Sequence, residues 1–214
     1  MQPHYKLKDT SAMEESSQQD SVWERKKAPV STGVNELIRS RYSPRAFREQ
    51  SLTEADLDCL LEAASWASSS ANEQPWRYAC ALRSDQEAFQ QFLDCLLPGN
   101  QGWAHRAGAI LLCLAYTRHD AFNLDNPYAW HDCGAANTSL ILQATHMGIG
   151  GRMMAGFDRE KTIARFRPGK NIEPVCFIAL GYPDAPDVLP SPYREKEMET
   201  RNRKTIDEIR YPMP

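Results

Sequence analysis

Gly134-Ala-Ala-Asn-Thr-Ser-Leu-Ile-Leu-Gln-Ala-Thr-His-Met147 reads as a long helix that is apolar nearly all round, interrupted by Asn137, Thr138, Ser139 and Gln143 and closed by Gly148. A helix with so narrow a polar face lies at the centre of a fold or against another molecule. Working outward, Ala109-Ile-Leu-Leu-Cys-Leu-Ala-Tyr116 is an unbroken apolar run of strand length, and Val175-Cys-Phe-Ile-Ala-Leu180 is a second, stopped by Gly181-Tyr-Pro183. Trp76 to Leu82 is also strand-like. Thr53 begins a Thr-x-x-Asp capping pattern, after which Leu57, Leu60, Leu61 and Ala64 fall on one helical stripe. Ser84-Asp-Gln-Glu87 resembles a capping box for a helix through Phe89, Phe92, Leu93 and Leu96 that stops at Pro98-Gly99. Short helices are expected over Val34–Ser40 and Asp158–Phe166. Helices and strands mix without regular βαβ alternation, so the expected class is α+β. Neither GxGxxG nor GxxxxGK[ST] occurs, which leaves a Rossmann unit or a P-loop unsupported.

Composition narrows the functional classes. The 214 residues are 42% apolar, enough for one core, and the net charge of −3 offers no cationic surface for nucleic acid. The first thirty residues are polar and of mixed charge, with no apolar h-region, and no apolar run reaches the length of a bilayer span. A cytoplasmic protein with no membrane or nucleic-acid partner is expected. The six cysteines lack paired spacing and read as reduced, buried thiols. The five histidines form no HExxH and no Cys/His cluster, so no metal is expected.

Four separated segments carry polar chemistry. In Arg39-Ser-Arg-Tyr-Ser-Pro-Arg-Ala-Phe47, Arg41, Ser43 and Arg45 alternate and can aim two guanidinium groups and a hydroxyl at one phosphate. Taken alone, such a basic turn is more often a solvated face. Ala67-Ser-Ser-Ser-Ala-Asn-Glu-Gln-Pro-Trp76 packs three hydroxyls and two carboxamides between a helix and a strand. It suits the edges of a heterocycle and a ribityl chain, or is simply a Ser/Asn-rich loop. His131-Asp-Cys-Gly-Ala-Ala-Asn137 leads into the central helix, with Asp132 read as a helix cap rather than a catalyst. The run continues as Gly148-Ile-Gly-Gly-Arg-Met-Met-Ala-Gly-Phe-Asp158, where glycines let backbone approach a planar ligand and Met153 and Met154 can pack on its face, or are core. Arg201-Asn-Arg-Lys204 is a second cationic cluster.

From about Leu37 to Tyr211 the chain resembles the nitroreductase family. The resemblance rests on Arg-Tyr-Ser-Pro-Arg-Ala-Phe, Ser-Ser-x-Asn-x-Gln-Pro-Trp, His-Asp-x-Gly-Ala-Ala-Asn, Met-x-Gly-Phe-Asp, Ala-Leu-Gly-Tyr-Pro and a closing Arg-x-Arg-Lys, in family order over about four-fifths of the chain. It implies an α+β fold with a mixed, mainly antiparallel sheet flanked by helices. It also implies an intertwined homodimer with two FMN sites at the subunit interface. The implied activity is FMN-dependent oxidoreduction, with a hydride from NADPH or NADH passed to a small organic acceptor such as a nitroaromatic or a quinone.

Carried over, Arg41, Tyr42, Ser43 and Arg45 hold the phosphate and ribityl chain, joined by Arg201, Arg203 or Lys204. Ser68, Ser69, Ser70 and Asn72 come from the other subunit, and Met154, Ala155 and Gly156 cover one ring edge. No side-chain catalyst is implied. Three departures stand out: Ser68 where many members have Pro, Ala71 where many have Gly, and Tyr42 where a second Arg or His is common. The resemblance divides the chain into a polar arm (1–30), an FMN-binding domain (31–184) and a C-terminal extension (185–214) packed on the partner subunit. Trp23 is the candidate anchor for the arm. The rival readings are another flavin chemistry on the same fold, such as an oxidase or dehalogenase, and a non-catalytic flavin-binding module.

Overall fold

The computed structural model describes residues 23–30, 32–119 and 122–213, so most of the arm expected over residues 1–30 lies outside the described residues. In chain order the elements are α1 (Glu36–Ser40), α2 (Glu54–Ser65), β1 (Trp76–Leu82), α3 (Gln86–Leu93), α4 (Pro98–Ala104) and β2 (Ala109–Tyr116). A short pair follows, β3 (Arg118–His119) and β4 (Leu124–Asp125). The rest are α5 (Ala129–His146), β5 (Gly150–Met154), α6 (Arg159–Phe166), β6 (Ile172–Gly181), α7 (Tyr193–Met198) and α8 (Ile206–Ile209).

The main sheet runs β1-β2-β6-β5, antiparallel throughout. The apolar run of β2 lacks alternation because both faces of the strand are covered. Ala109, Leu111, Cys113 and Ala115 enter a core with α2 and α5, whereas Ile110 and Leu112 enter a second core with α3, α4, Phe47 and Phe177. Strand β6 carries Pro174 at a bulge opposite Cys113 and Leu114, where the ladder is already interrupted and a missing N–H costs little. The fold is thus α+β, an antiparallel sheet between helical layers.

The long apolar helix begins a turn earlier than expected, at Ala129, and ends before Gly148, whose φ of +73° is the left-handed turn that glycine takes most easily. One stripe of it, including Ala136, Leu140, Ile141 and Ala144, is buried in the core, while Ala135, Ser139 and Leu142 stay half-buried on the other side. The box at Thr53 forms as read, reciprocally with Asp56. At the next helix the cap is Asp85, not Ser84, since its carboxylate accepts from the N–H of Ala88. That helix ends at Leu93, short of the expected Leu96, which lies in a bridge to Phe157, so Pro98 is not its stop. It opens α4, because proline at the first helical position lacks only an N–H that would go unpaired there.

The glycine-rich run after α5 is also corrected. Gly150 and Gly151 lie in β5, and a Cβ on Gly150 would clash with Pro44 Cγ. The close approach these two glycines permit is to the chain's own side chains.

Candidate functional site

The turn after α1 is pinned from both sides. The N–H of Arg45 donates to both carboxylate oxygens of Glu197 at 3.2 Å, and Arg152 donates through Nη1 to the Ser43 carbonyl at 2.7 Å. Glu197 sits on α7 and is only 3% exposed. Burial raises its pKa, opposed by the hydrogen bond from Arg45 and by the charges of Lys26, Arg45 and Arg152. The Arg152 guanidinium lies 5.5 Å over the Trp103 ring, and burial, with Arg45 nearby, pushes its pKa down to about 10. Arg45 therefore has a partner already, its guanidinium lying 3.8 Å from Glu197.

On the outer side of this turn opens a cleft of about 190 Å³, lined by Lys26, Arg41, Tyr42, Ser43, Lys196, Glu199, Thr200, Arg201 and Arg203. Arg41 Nη1 donates to Ser43 Oγ at 3.1 Å. Burial and the neighbouring Arg203 lower the pKa of Arg41; burial, Arg41 and Arg203 lower that of Arg201. Guanidinium groups that depress one another across a cleft fit an anion between them. A second observation points the same way. Tyr42 is 4% exposed, and its hydroxyl has no hydrogen-bond partner among the described residues. A buried donor beside clustered cations suits the oxygens of a phosphomonoester.

Of the residues named from sequence, Arg41, Tyr42, Ser43, Arg201 and Arg203 thus come together, although about 160 positions separate the two groups. Arg201 plays a part the sequence did not suggest. Its Nη1 donates to the carbonyls of Lys26 and Arg39 at 2.8 and 2.9 Å, so it stitches three segments together. Arg45 and Lys204 are not among the cleft's lining residues. Lys26, Lys196 and Glu197 were missed. Only a fold that brings arm and tail to the turn reveals them.

Ser68, Ser69, Ser70 and Asn72 lie elsewhere, in a loop with a 3-10 turn over Ser70–Asn72. The N–H of Ser70 donates to the buried Asp132 carboxylate at 3.0 Å, so Asp132 caps this loop and not its own helix. Asn137 is also turned inward, accepting from Tyr78 Oη at 2.7 Å. Ala71, Asn72 and Gln74 all have positive φ, and Ala71, at +51°, holds a conformation that glycine takes more easily. Ser68, Ala71 and Asn72 are exposed. Met154 is 2% exposed, with its side chain in the second core, which leaves its backbone for the expected contact with a ring edge. Met153 is the outward-facing methionine, and Ala155 beyond it is exposed.

The end of the arm and the first part of the tail also make contacts within their own chain. Trp23 packs edge-on against Tyr42 of its own chain, with ring centroids 5.0 Å apart. Leu189 is buried in the chain's own second core, with Val188 and Tyr193 against it. Only beyond Arg201 does the tail stand away, with Ile206, Ile209, Tyr211 and Met213 exposed.

Comparison with known proteins agrees with this architecture. The model of the nitroreductase family matches residues 38–97 and 79–182. A protein of Archaeoglobus fulgidus, provisionally named NADH dehydrogenase/NAD(P)H nitroreductase, is 29% identical over 153 residues, covering 69% of this chain and 83% of its own length. Among solved structures, one described as an oxidoreductase containing FMN is 27% identical, with a TM-score of 0.80 over 85% of this chain and 92% of that one. A nitroreductase family protein from Streptococcus pneumoniae shares the fold at a TM-score of 0.67 and 19% identity, over 83% of this chain and 98% of that one.

Proposed function

The chain belongs to the nitroreductase family, and from that membership we propose an FMN-dependent oxidoreductase that passes a hydride from NADPH or NADH to a small organic acceptor such as a nitroaromatic or a quinone. The observation that carries the reading is the convergence of Arg41 and Ser43 with Arg203 on one cleft, around the buried and unpartnered Tyr42 hydroxyl. Bound FMN supplies the two-electron chemistry through its ring. The chain's part is to bind and orient it. Arg41, Arg203 and Tyr42 hold the phosphate, Ser43 holds the neighbouring ribityl oxygen, and Arg201 keeps the cleft in shape.

Ser68, Ser69, Ser70 and Asn72 line the heterocycle from the second subunit of a homodimer, and backbone N–H groups at Ala155 and Gly156 polarise the ring edge. The dimer reading is supported by the half-buried second side of α5, the exposed Ile38 and Trp66, and the apolar residues of the outlying tail. It predicts about twice the chain mass by light scattering.

The decisive experiment is an absorbance spectrum of pure protein, identification of the flavin released by heat, and anaerobic titration with NADPH and NADH. The reading expects FMN that either nucleotide bleaches and an added nitroaromatic restores. Protein that is colourless and takes up no added FMN overturns it. Bound FMN that neither nucleotide reduces assigns the chain to flavin binding without this activity.

A further inference from the structure

We propose that the segment Trp23–Lys27 is part of the cofactor site, a strap across the phosphate end of the cleft in which Lys26 is a phosphate ligand beside Arg41 and Arg203. The proposal rests on the reading of that cleft as the seat of a phosphomonoester, and it concerns residues outside the matched family region, which begins at residue 38.

Lys26 lies in the cleft lining and is 9% exposed. Its ammonium donates one hydrogen bond to the Glu199 carbonyl at 2.6 Å, which leaves two N–H groups for another acceptor. Burying a cation among cations is costly without a counter-charge. Five cationic residues (Lys26, Arg41, Lys196, Arg201 and Arg203) and one carboxylate, Glu199, line this cleft, and the buried Glu197 behind it, shared among Lys26, Arg45 and Arg152, leaves the lining with an excess of positive charge. A dianion offsets that excess, and Lys26, with two N–H groups to spare, adds a donor beside Arg41 and Arg203.

The strap is held by the residues that form the cleft. Trp23 stands edge-on to Tyr42, and the Lys26 carbonyl accepts from Arg201. Ala28 and Arg39 exchange two hydrogen bonds, the N–H of Ala28 donating to the Arg39 carbonyl and Arg39 Nε donating to the Ala28 carbonyl, each at 3.0 Å. Lys27 pairs with Glu24 and Glu36 at 2.7 and 3.0 Å. Because Tyr42 and Arg201 serve both the strap and the cleft, docking of the one and filling of the other are coupled, and each stabilises the other by the same factor.

The test uses the full-length protein stripped of flavin, titrated with FMN, riboflavin and inorganic phosphate. Lys26→Gln should weaken FMN about tenfold and leave riboflavin unchanged, and Lys26→Arg should restore most of the loss. Independently of activity, tryptic cleavage after Arg25, Lys26 or Lys27 should be slowed by FMN and by millimolar phosphate, but not by riboflavin. If Lys26→Gln binds FMN normally while Arg203→Ala does not, the strap proposal fails and the phosphate site stands. If neither substitution affects FMN, the reading of the cleft fails with it. Equal losses for FMN and riboflavin in Lys26→Gln make Lys26 a structural residue and overturn its role as a ligand.

Discussion

The turn at Arg41–Arg45 and the loop at Ser68–Asn72 are alike in sequence, each a short polar stretch between hydrophobic elements, but the fold builds on them differently. The turn collects partners from both ends of the chain: Glu197 and Arg152 fix its backbone from within, and Lys26, Arg201 and Arg203 converge on its outer side. The loop is held from behind by one buried carboxylate, Asp132, and turns Ser68 and Asn72 outward. Like charges brought together need many fixed contacts to stay together, so the cationic cleft demands long-range structure. A loop of hydroxyls and amides needs only a local anchor and a surface to meet. Under the proposed function, one chain completes the phosphate end of the cofactor site and a second chain completes the ring end.

The contrast can be broken at its strongest point. Glu197→Ala leaves the Arg45 N–H unpaired and removes the counter-charge beneath Lys26, Arg45 and Arg152, so it should cost about 2 to 4 kcal/mol in denaturant unfolding. A loss below about 0.5 kcal/mol would show that the turn holds itself. Next comes Arg41→Ala or Arg203→Ala, each removing one charge-assisted bond of about 1.5 to 3 kcal/mol. Each should weaken FMN by about ten- to a hundredfold while riboflavin binding hardly changes, read by fluorescence titration. Arg201→Ala should behave differently, lowering stability and hurting both flavins, because its hydrogen bonds go to the Lys26 and Arg39 carbonyls.

On the loop side, Asp132→Ala leaves the Ser70 N–H without its acceptor and should cost about 1 to 2 kcal/mol. Hydrogen exchange should then rise in residues 68–74 and remain unchanged around Arg41; a rise at both sites would mean the two regions are not independent. The smallest effect is a gain. Ala71→Gly relieves a φ of +51° and should stabilise by about 1 kcal/mol, raising Tm by about 2 to 4 °C. An unchanged or lower Tm would mean that the entropy of the added glycine outweighs the relief.

Motifs whose physics is local were the legible ones. Thr53 with Asp56, the stripe of Leu57, Leu60 and Ala64, and the strand runs at Ala109 and Val175 depend on spacing of a few residues and form where read. The misreadings share a cause, a residue type with two uses. Glycines at 150 and 151 serve close packing of the chain on itself as readily as ligand approach, and Asp132 caps a neighbouring loop as readily as its own helix. Met154 and Met153 are adjacent and identical in type, and the pleat of β5 alone sends one into the core and the other outward.

The sequence by itself determined the α+β class, the family, and two clusters of cations at opposite ends of a matched core, because period, capping and motif order are properties of neighbouring residues. That Arg41, Arg203 and Lys26 share one cleft, that Arg45 is already engaged by Glu197, and that the first part of the tail packs on its own chain were decided only by the tertiary structure. Each depends on where distant segments end after the sheet and its helices pack. Charge–charge attraction and repulsion act over a few ångströms in space, whatever the distance along the chain.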